Sequence, residues 1–193
     1  MRIIAGQFRG RRLKSPKGES TRPTTDRVRE ALFSSLSSLL GPTLGDSNVL
    51  DAFAGSGALG LEALSRGCRR ATFVESSRSA LVTLRDNLAL LGIESTTRVV
   101  AGDAFALARR GIGGGPFSLI LLDPPYTLDQ TEVARMLENL AEAGAIADEA
   151  VVVWEHLSGK PMPWPAKFGV EQRRKYGSTE IDIAVFEGSG GSQ

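Results

Sequence analysis

The chain has 193 residues, 41% of them apolar, enough for one compact domain, since chains divide mostly beyond roughly 250 residues. Its single cysteine, Cys68, excludes a disulfide framework, and one Cys with one His, His156, cannot supply the usual nitrogen and sulfur ligands of a zinc site, so no metal is expected. The net charge of +1 hides an asymmetry: residues 1–30 carry nine basic and three acidic side chains, residues 31–193 carry 14 basic and 19 acidic ones. A basic arm precedes an acidic body. No run approaches the ~20 apolar residues of a membrane span, and the first residues lack the apolar stretch of a signal peptide. A cytoplasmic monomer with no membrane partner is the expectation.

In chain order, Ile3-Ile4, Phe8 and Leu13 alternate with Gly and Arg, which predicts a small β-hairpin arm over 1–22. After Arg22-Pro23, Thr24-Thr25-Asp26 forms a helix start, followed at helical spacing by Val28, Ala31, Leu32, Leu36, Leu39 and Leu40, up to Gly41-Pro42. Short apolar runs at 49–50, 71–74, 99–100, 119–122 and 151–154 predict strands buried on both faces of a parallel sheet. Two helices between them carry the stripes Ala80, Leu81, Leu84, Leu88, Leu91 and Val133, Met136, Leu137, Leu140, Ala141. At the end, 170–176 and 180–186 flank Gly177-Ser178-Thr179, and Ile181, Ile183 and Val185 alternate with Glu180, Asp182 and Ala184, a β-hairpin pattern. The fold class is therefore α/β, a Rossmann-like and mostly parallel sheet closed by a C-terminal antiparallel hairpin. The domain spans 23–187, and 188–193 is a polar tail.

Where the first strand gives way to a helix stands Asp51-Ala52-Phe53-Ala54-Gly55-Ser56-Gly57-Ala58-Leu59-Gly60, and Glu75 ends the next strand. Glycines at such a turn let backbone approach a ligand, and a carboxylate ~20 residues on reaches ribose hydroxyls. Together they indicate a nucleoside-containing cofactor, either a dinucleotide or S-adenosylmethionine. Asp51 would repel a pyrophosphate but suits the ammonium end of S-adenosylmethionine, and dinucleotide folds usually end in parallel strands. Asp103, with Ala104 beside it, ends the third strand at the same edge, where it reads equally as a helix N-cap.

The fourth strand ends in Asp123-Pro124-Pro125-Tyr126, at the carboxyl edge where ligands bind in open α/β sheets. An exocyclic base amine is a poor nucleophile because its lone pair is delocalised into the ring. Asp123, ionised at neutral pH by its ordinary pKa of about 3.9, can accept one amine hydrogen while the Pro124 carbonyl accepts the other, and Pro125 stiffens the turn. Tyr126 can stack on a base held out of its helix.

The segments Ile3-Ile4-Ala5-Gly6-Gln7-Phe8-Arg9-Gly10-Arg11, Arg22-Pro23-Thr24-Thr25-Asp26-Arg27-Val28-Arg29-Glu30, 51–63 and Lys175-Tyr176-Gly177, together with Asp-Pro-Pro-Tyr, resemble the bacterial small-subunit ribosomal RNA guanine-N2 methyltransferases, the RsmD family, over roughly 2–187. The resemblance implies S-adenosylmethionine as methyl donor and the exocyclic amine of a guanine in 16S rRNA, within a small-subunit particle, as acceptor. It also implies that Phe53, Gly55, Ser56 and Gly57 line the cofactor, Glu75 holds its ribose, Asp103 faces its adenine, and Thr24 and Thr25 approach its methionine end.

Arg2, Arg9, Arg11, Arg12, Lys14, Lys17 and Arg22, interrupted by glycines, suit a flexible clamp on RNA phosphates. His156 and Trp164 read as structural, and a lone His without a serine elbow gives no hydrolase triad. Three other readings remain open at this point: amino-methylation of DNA adenine or cytosine, a dinucleotide-dependent oxidoreductase, and a non-catalytic RNA-binding module.

Overall fold

The computed structural model describes residues 1–15, 26–41, 44–159 and 161–188. Helix α1 (Asp26–Leu40) precedes five alternations: β1 (Asn48–Asp51), α2 (Ala58–Ser65), β2 (Arg70–Glu75), α3 (Arg78–Leu91), β3 (Thr97–Ala101), α4 (Ala104–Arg110), β4 (Phe117–Leu122), α5 (Gln130–Glu142) and β5 (Ile146–Leu157). The hairpin β6 (Phe168–Tyr176) and β7 (Thr179–Phe186) follows. The sheet order is β3-β2-β1-β4-β5-β7-β6. Strands β1 to β5 are parallel, β7 runs antiparallel to β5, and β6 antiparallel to β7. The expected mostly parallel sheet with a terminal hairpin is thus present. The chain steps outward from β1 to β3 and then returns to β4, so the topological switch point lies between the carboxyl ends of β1 and β4, where open α/β sheets bind ligands.

Two apolar layers cover the sheet. One face buries Leu32, Phe33 and Leu36 of α1 together with Leu61, Leu84 and Leu88. The other buries Val133, Met136, Leu137 and Leu140 of α5. The stripes read from the sequence therefore form the core or pack against it, except in α1, where Ala31 is only half-buried and Leu39, in the last turn, is exposed. Cys68 is buried, and burial pushes its thiol up to about 12, which leaves it inert at neutral pH. No helix among the described residues is long and apolar enough to cross a membrane.

The terminal hairpin departs from the half-buried pattern expected for it. Because β7 is an interior strand, both its faces are covered, and Asp182 and Ala184 are as buried as Ile181 and Ile183. A buried carboxylate needs partners. Asp182 accepts from Arg173 Nε and Nη2 at 2.6 and 2.7 Å and from Trp164 Nε1 at 2.9 Å, with His156 Nε2 at 3.6 Å. Burial opposes its charge, but these partners outweigh it and hold the carboxyl well below the usual range. Trp164 also meets Trp154 edge-on at 5.0 Å, a geometry worth about 0.5–1.5 kcal/mol beyond its area. His156 and Trp164 are structural here.

The N-terminal hairpin is docked rather than flexible. Arg2 and Arg12 form an antiparallel bridge, and Ile3 and Leu13 are buried in the core. The carboxylate of Glu62, itself fully buried on α2, accepts from the backbone N–H of Ile4 at 2.7 Å and of Ala5 at 3.0 Å. Gly6, at φ +80°, lies so close to the Ser65 carbonyl that a Cβ would overlap it. At the other end, Asn87 of α3 bridges the Lys14 backbone to the Ser56 carbonyl. The hairpin therefore runs along α2, with its turn beside Ser65 and its open end beside the glycine turn.

Candidate active site

Five parallel strands deliver five acids to one edge of the sheet: Asp51, Glu75, Asp103, Asp123 and Glu155. Four are adjacent to strand ends, and the fifth is placed by register, since Leu122 pairs with Trp154 and Asp123 is therefore level with Glu155. All five line one cavity of about 1140 Å³. Pockets for single small ligands usually span about 300–1,000 Å³, so this cleft has room for a cofactor and part of a second molecule.

At one end of the cleft, the turn after β1 is built from backbone. Gly57 sits at φ +85°, where a Cβ would come within 2.5 Å of Leu84 Cδ1, so only glycine lets α2 start against α3. Asp51 accepts from the Gly60 N–H at 2.9 Å. Burial, reinforced by the charge of Glu75 and opposed by that hydrogen bond, pushes its carboxyl up to about 7. Glu75 accepts from the Gly55 N–H through Oε2 and from the Ser77 N–H through Oε1, both at 2.7 Å. It thus closes the turn while each oxygen keeps further acceptor capacity, and it lines the cleft. Asp103 is exposed and caps α4 by accepting from the Ala106 N–H at 2.7 Å. Its capping role is therefore real, and it lines the cavity as well. Phe53 meets Phe105 at 5.9 Å between ring centres, which gives this end two aromatic walls.

At the other end stand Asp123, Pro124, Pro125 and Tyr126. The Tyr126 hydroxyl is 3.2 Å from Glu155 Oε1 and 3.0 Å from Thr179 Oγ1, so the ring is set by β5 and β7. Burial, then the neighbouring Glu155 and Asp123 carboxylates, raise its phenol, which stays protonated. The expectation that Asp123 is ionised at neutral pH needs correction. Burial, with Glu155 and Asp51 close by, raises its carboxyl well above the ordinary value and favours the neutral form in the free protein.

Among the basic residues, Arg2 pairs with Asp26 at 3.0 Å and Lys14 with Asp86 at 2.8 Å. Arg9, Arg11 and Arg12 are exposed, with no ion pair among the described residues. Met1 and Ser15 line the cleft, whereas Arg9 lies near the hairpin turn docked at Ser65, a helix length away. Lys17, Arg22, Thr24 and Thr25 lie outside the described residues. Sequence reasoning missed Arg29, Phe105, Glu155 and Thr179. Glu155 follows the same strand-end rule that singled out the other four acids, but it is hidden inside a strand longer than the 151–154 run. Among the described residues no group of three or more His, Cys, Asp or Glu could hold a metal ion.

Sheet order, the acid edge and the Asp-Pro-Pro-Tyr turn at the switch point define a Rossmann-like methyltransferase. The model of a family described as "Conserved hypothetical protein 95" matches residues 1–185. Ribosomal RNA small subunit methyltransferase D of Escherichia coli K12 is 39% identical over 194 residues, covering 100% of this chain and 93% of its own. Its namesake from Haemophilus influenzae is 34% identical over 178 residues, covering 92% and 89%. A solved Escherichia coli structure, yhhF, provisionally classed as a methyltransferase, superposes with a TM-score of 0.81 at 36% identity over 98% of this chain and 99% of its own. The chain belongs to this small-subunit methyltransferase D, or RsmD, family.

Proposed function

We propose that this protein transfers a methyl group from S-adenosylmethionine to the exocyclic N2 amine of a guanine in 16S rRNA, presented by a small-subunit ribosomal particle. The observation that carries the reading is one continuous cleft with a nucleoside-type end (Phe53, Gly55, Glu75, Asp103, Phe105) and an amine-type end (Asp123 to Tyr126). The relatives' names supply the RNA and its subunit. The resemblance supplies the guanine.

The cleft fits the cofactor. A Cβ built on Gly55 meets nothing within 4 Å, so the turn leaves open space for a ligand. Glu75 offers lone pairs to ribose hydroxyls, Asp103 an acceptor to the adenine amine, and Phe53 and Phe105 apolar faces to its ring. Asp51 provides negative charge for an ammonium group. Arg29 is buried at the cleft wall, donates through Nη2 to Asp26 Oδ1 and the Arg2 carbonyl, and has no partner for Nε and Nη1 among the described residues, which suits a carboxylate nearby. Ser56, Gly57 and Ala104 complete the backbone on either side, and Thr24 and Thr25 follow the resemblance.

When bound, S-adenosylmethionine supplies an electrophilic methyl group. The chain prepares the acceptor. In its ionised form Asp123 accepts one amine hydrogen and the Pro124 carbonyl the other, drawing the nitrogen toward tetrahedral geometry and freeing its lone pair. Tyr126, tethered by Glu155 and Thr179, stacks on the base. Asp123 then receives the proton that the methylated amine must lose.

The test is incubation with methyl-labelled cofactor and small subunits from cells lacking this activity, beside naked 16S rRNA and DNA, followed by mass spectrometry of nucleosides. N2-methylguanosine in the particle is expected. Label confined to methyladenine, methylcytosine or ribose rejects the guanine, and label on DNA alone promotes amino-methylation of DNA. Asp123→Ala should lower single-turnover transfer by ~10² or more while leaving cofactor affinity in place.

A further inference from the structure

Lys175-Tyr176-Gly177 is part of the family resemblance yet has no place in the chemistry above. The sheet register gives it one. Glu155 pairs with Ile181, and Ile181 with Arg174. Leu157 pairs with Thr179, and Thr179 with Tyr176. Directly paired residues project from the same face. Glu155, Ile181 and Arg174 thus form one row, and Leu157, Thr179 and Tyr176 the next. Thr179 is also the residue whose hydroxyl meets Tyr126 at 3.0 Å. With strands ~4.8 Å apart, Tyr176 stands one strand beyond Thr179, at the open edge of the sheet.

Charge separates Arg174 from its neighbours. Arg173 is committed to Asp182, and Lys175 faces Glu180 across the ladder. Arg174 faces an apolar residue, is exposed, and has neither ion pair nor hydrogen bond among the described residues. Tyr176 is half-buried against the core, and its hydroxyl has no partner among the described residues. A free guanidinium beside an aromatic ring suits a nucleotide: cations bind phosphate, and aromatic faces stack on unpaired bases. The need is local, because the hairpin cations nearest the cleft, Arg2 and Lys14, are already paired with Asp26 and Asp86.

We propose that the end of the β6–β7 hairpin is a substrate-strand site, in which Arg174 binds a phosphate and Tyr176 stacks on a base of the RNA nucleotide adjoining the target. This rests on the methyltransferase reading for the target base, but the contact itself is to RNA and is measurable without transfer. An edge-strand charge that only blocks unwanted strand pairing would make no such contact.

The test uses the full chain with Arg174→Glu, Arg174→Lys and Tyr176→Leu, the last keeping an apolar side chain against the core. Binding of a fluorescein-labelled single-stranded RNA is followed by polarisation over a salt series, and methyl transfer to small subunits by KM and kcat. Arg174→Glu should raise the RNA Kd and KM about fivefold or more, leave kcat and cofactor affinity unchanged, and flatten the logarithmic salt slope by roughly 0.7 or more. Arg174→Lys should restore most of the loss. Tyr176→Leu should weaken RNA about tenfold with an unchanged slope. Wild-type Kd and slope in Arg174→Glu overturn the site, as does weakened binding of single-stranded DNA with RNA unaffected. Failure of the unsubstituted protein to methylate any RNA would instead overturn the functional reading, with the polarisation arm still deciding the hairpin.

Discussion

The Tyr126 hydroxyl lies 3.2 Å from Oε1 of Glu155, so the turn that follows β4 is held by the strand beside it. A Tyr on a Pro-Pro turn would otherwise swing on its χ angles, and ordering it at the moment of reaction costs entropy. The tether supplies that order beforehand. Tyr126→Phe keeps the stacking ring and loses the tether. One hydrogen bond to a charged group is worth about 1.5–3 kcal/mol, so single-turnover transfer should fall by at least about tenfold, with Thr179→Val showing a smaller loss. Unchanged rates in both would mean that the ring is positioned by packing alone.

Glu75 holds the glycine turn through the N–H groups of Gly55 and Ser77 as well as facing the cleft. Glu75→Gln should weaken S-adenosylmethionine about 10- to 100-fold by titration calorimetry, because the amide can replace only one of the two acceptor oxygens. Some loss of melting temperature should accompany it, because one of the two backbone N–H groups then faces an amide N–H. Equal cofactor affinity in a folded Glu75→Gln protein would remove Glu75 from the binding site.

Asp51 should make cofactor binding proton-linked. Burial raises its carboxyl from the ordinary 3.8 to about 7, so in the free protein it is mostly protonated just below neutrality. A cation beside it favours the ionised form. Binding at about pH 6 should therefore release a proton, seen as different apparent enthalpies in buffers of different ionisation heat. Asp51→Asn should abolish that difference. The same raised value means that Asp51 contributes stability fully present below about pH 4 and lost as pH rises through about 7. The Tm of Asp51→Asn should accordingly depend less on pH across that window.

Glu62 ties the N-terminal hairpin to α2, accepting from Ile4 and Ala5 while Arg66 Nε lies 2.8 Å from its Oε1. In Glu62→Gln an amide N–H must face one of the donors it replaces as acceptor. Losing a charged hydrogen bond and burying a mismatched donor should cost about 2–4 kcal/mol in urea unfolding. Proteolysis should become faster within residues 1–15. A variant as stable and resistant as the parent would show the hairpin to be held by Ile3 and Leu13 alone.

Much of this was legible in the sequence because it is local. Strand runs, helix stripes, the glycine turn and Asp-Pro-Pro-Tyr announce themselves through periodicity and through residues that constrain their own backbone, and an acid after an apolar strand lies at the carboxyl edge wherever that strand sits. What the sequence could not decide depends on neighbours distant along the chain. Glu155 becomes a partner of Tyr126 only because β5 pairs with β4 in a register that sets it level with Asp123. Asp182 is buried because β7 is inserted between β5 and β6, not because of anything in its own alternation. The basic arm reads as a flexible clamp until Glu62, Ser65 and Asn87, more than fifty residues away, dock it on α2 and α3. The charge state of Asp123 follows first from its burial and then from Glu155 and Asp51 gathered beside it in one cleft, surroundings that exist only once the sheet has brought them together.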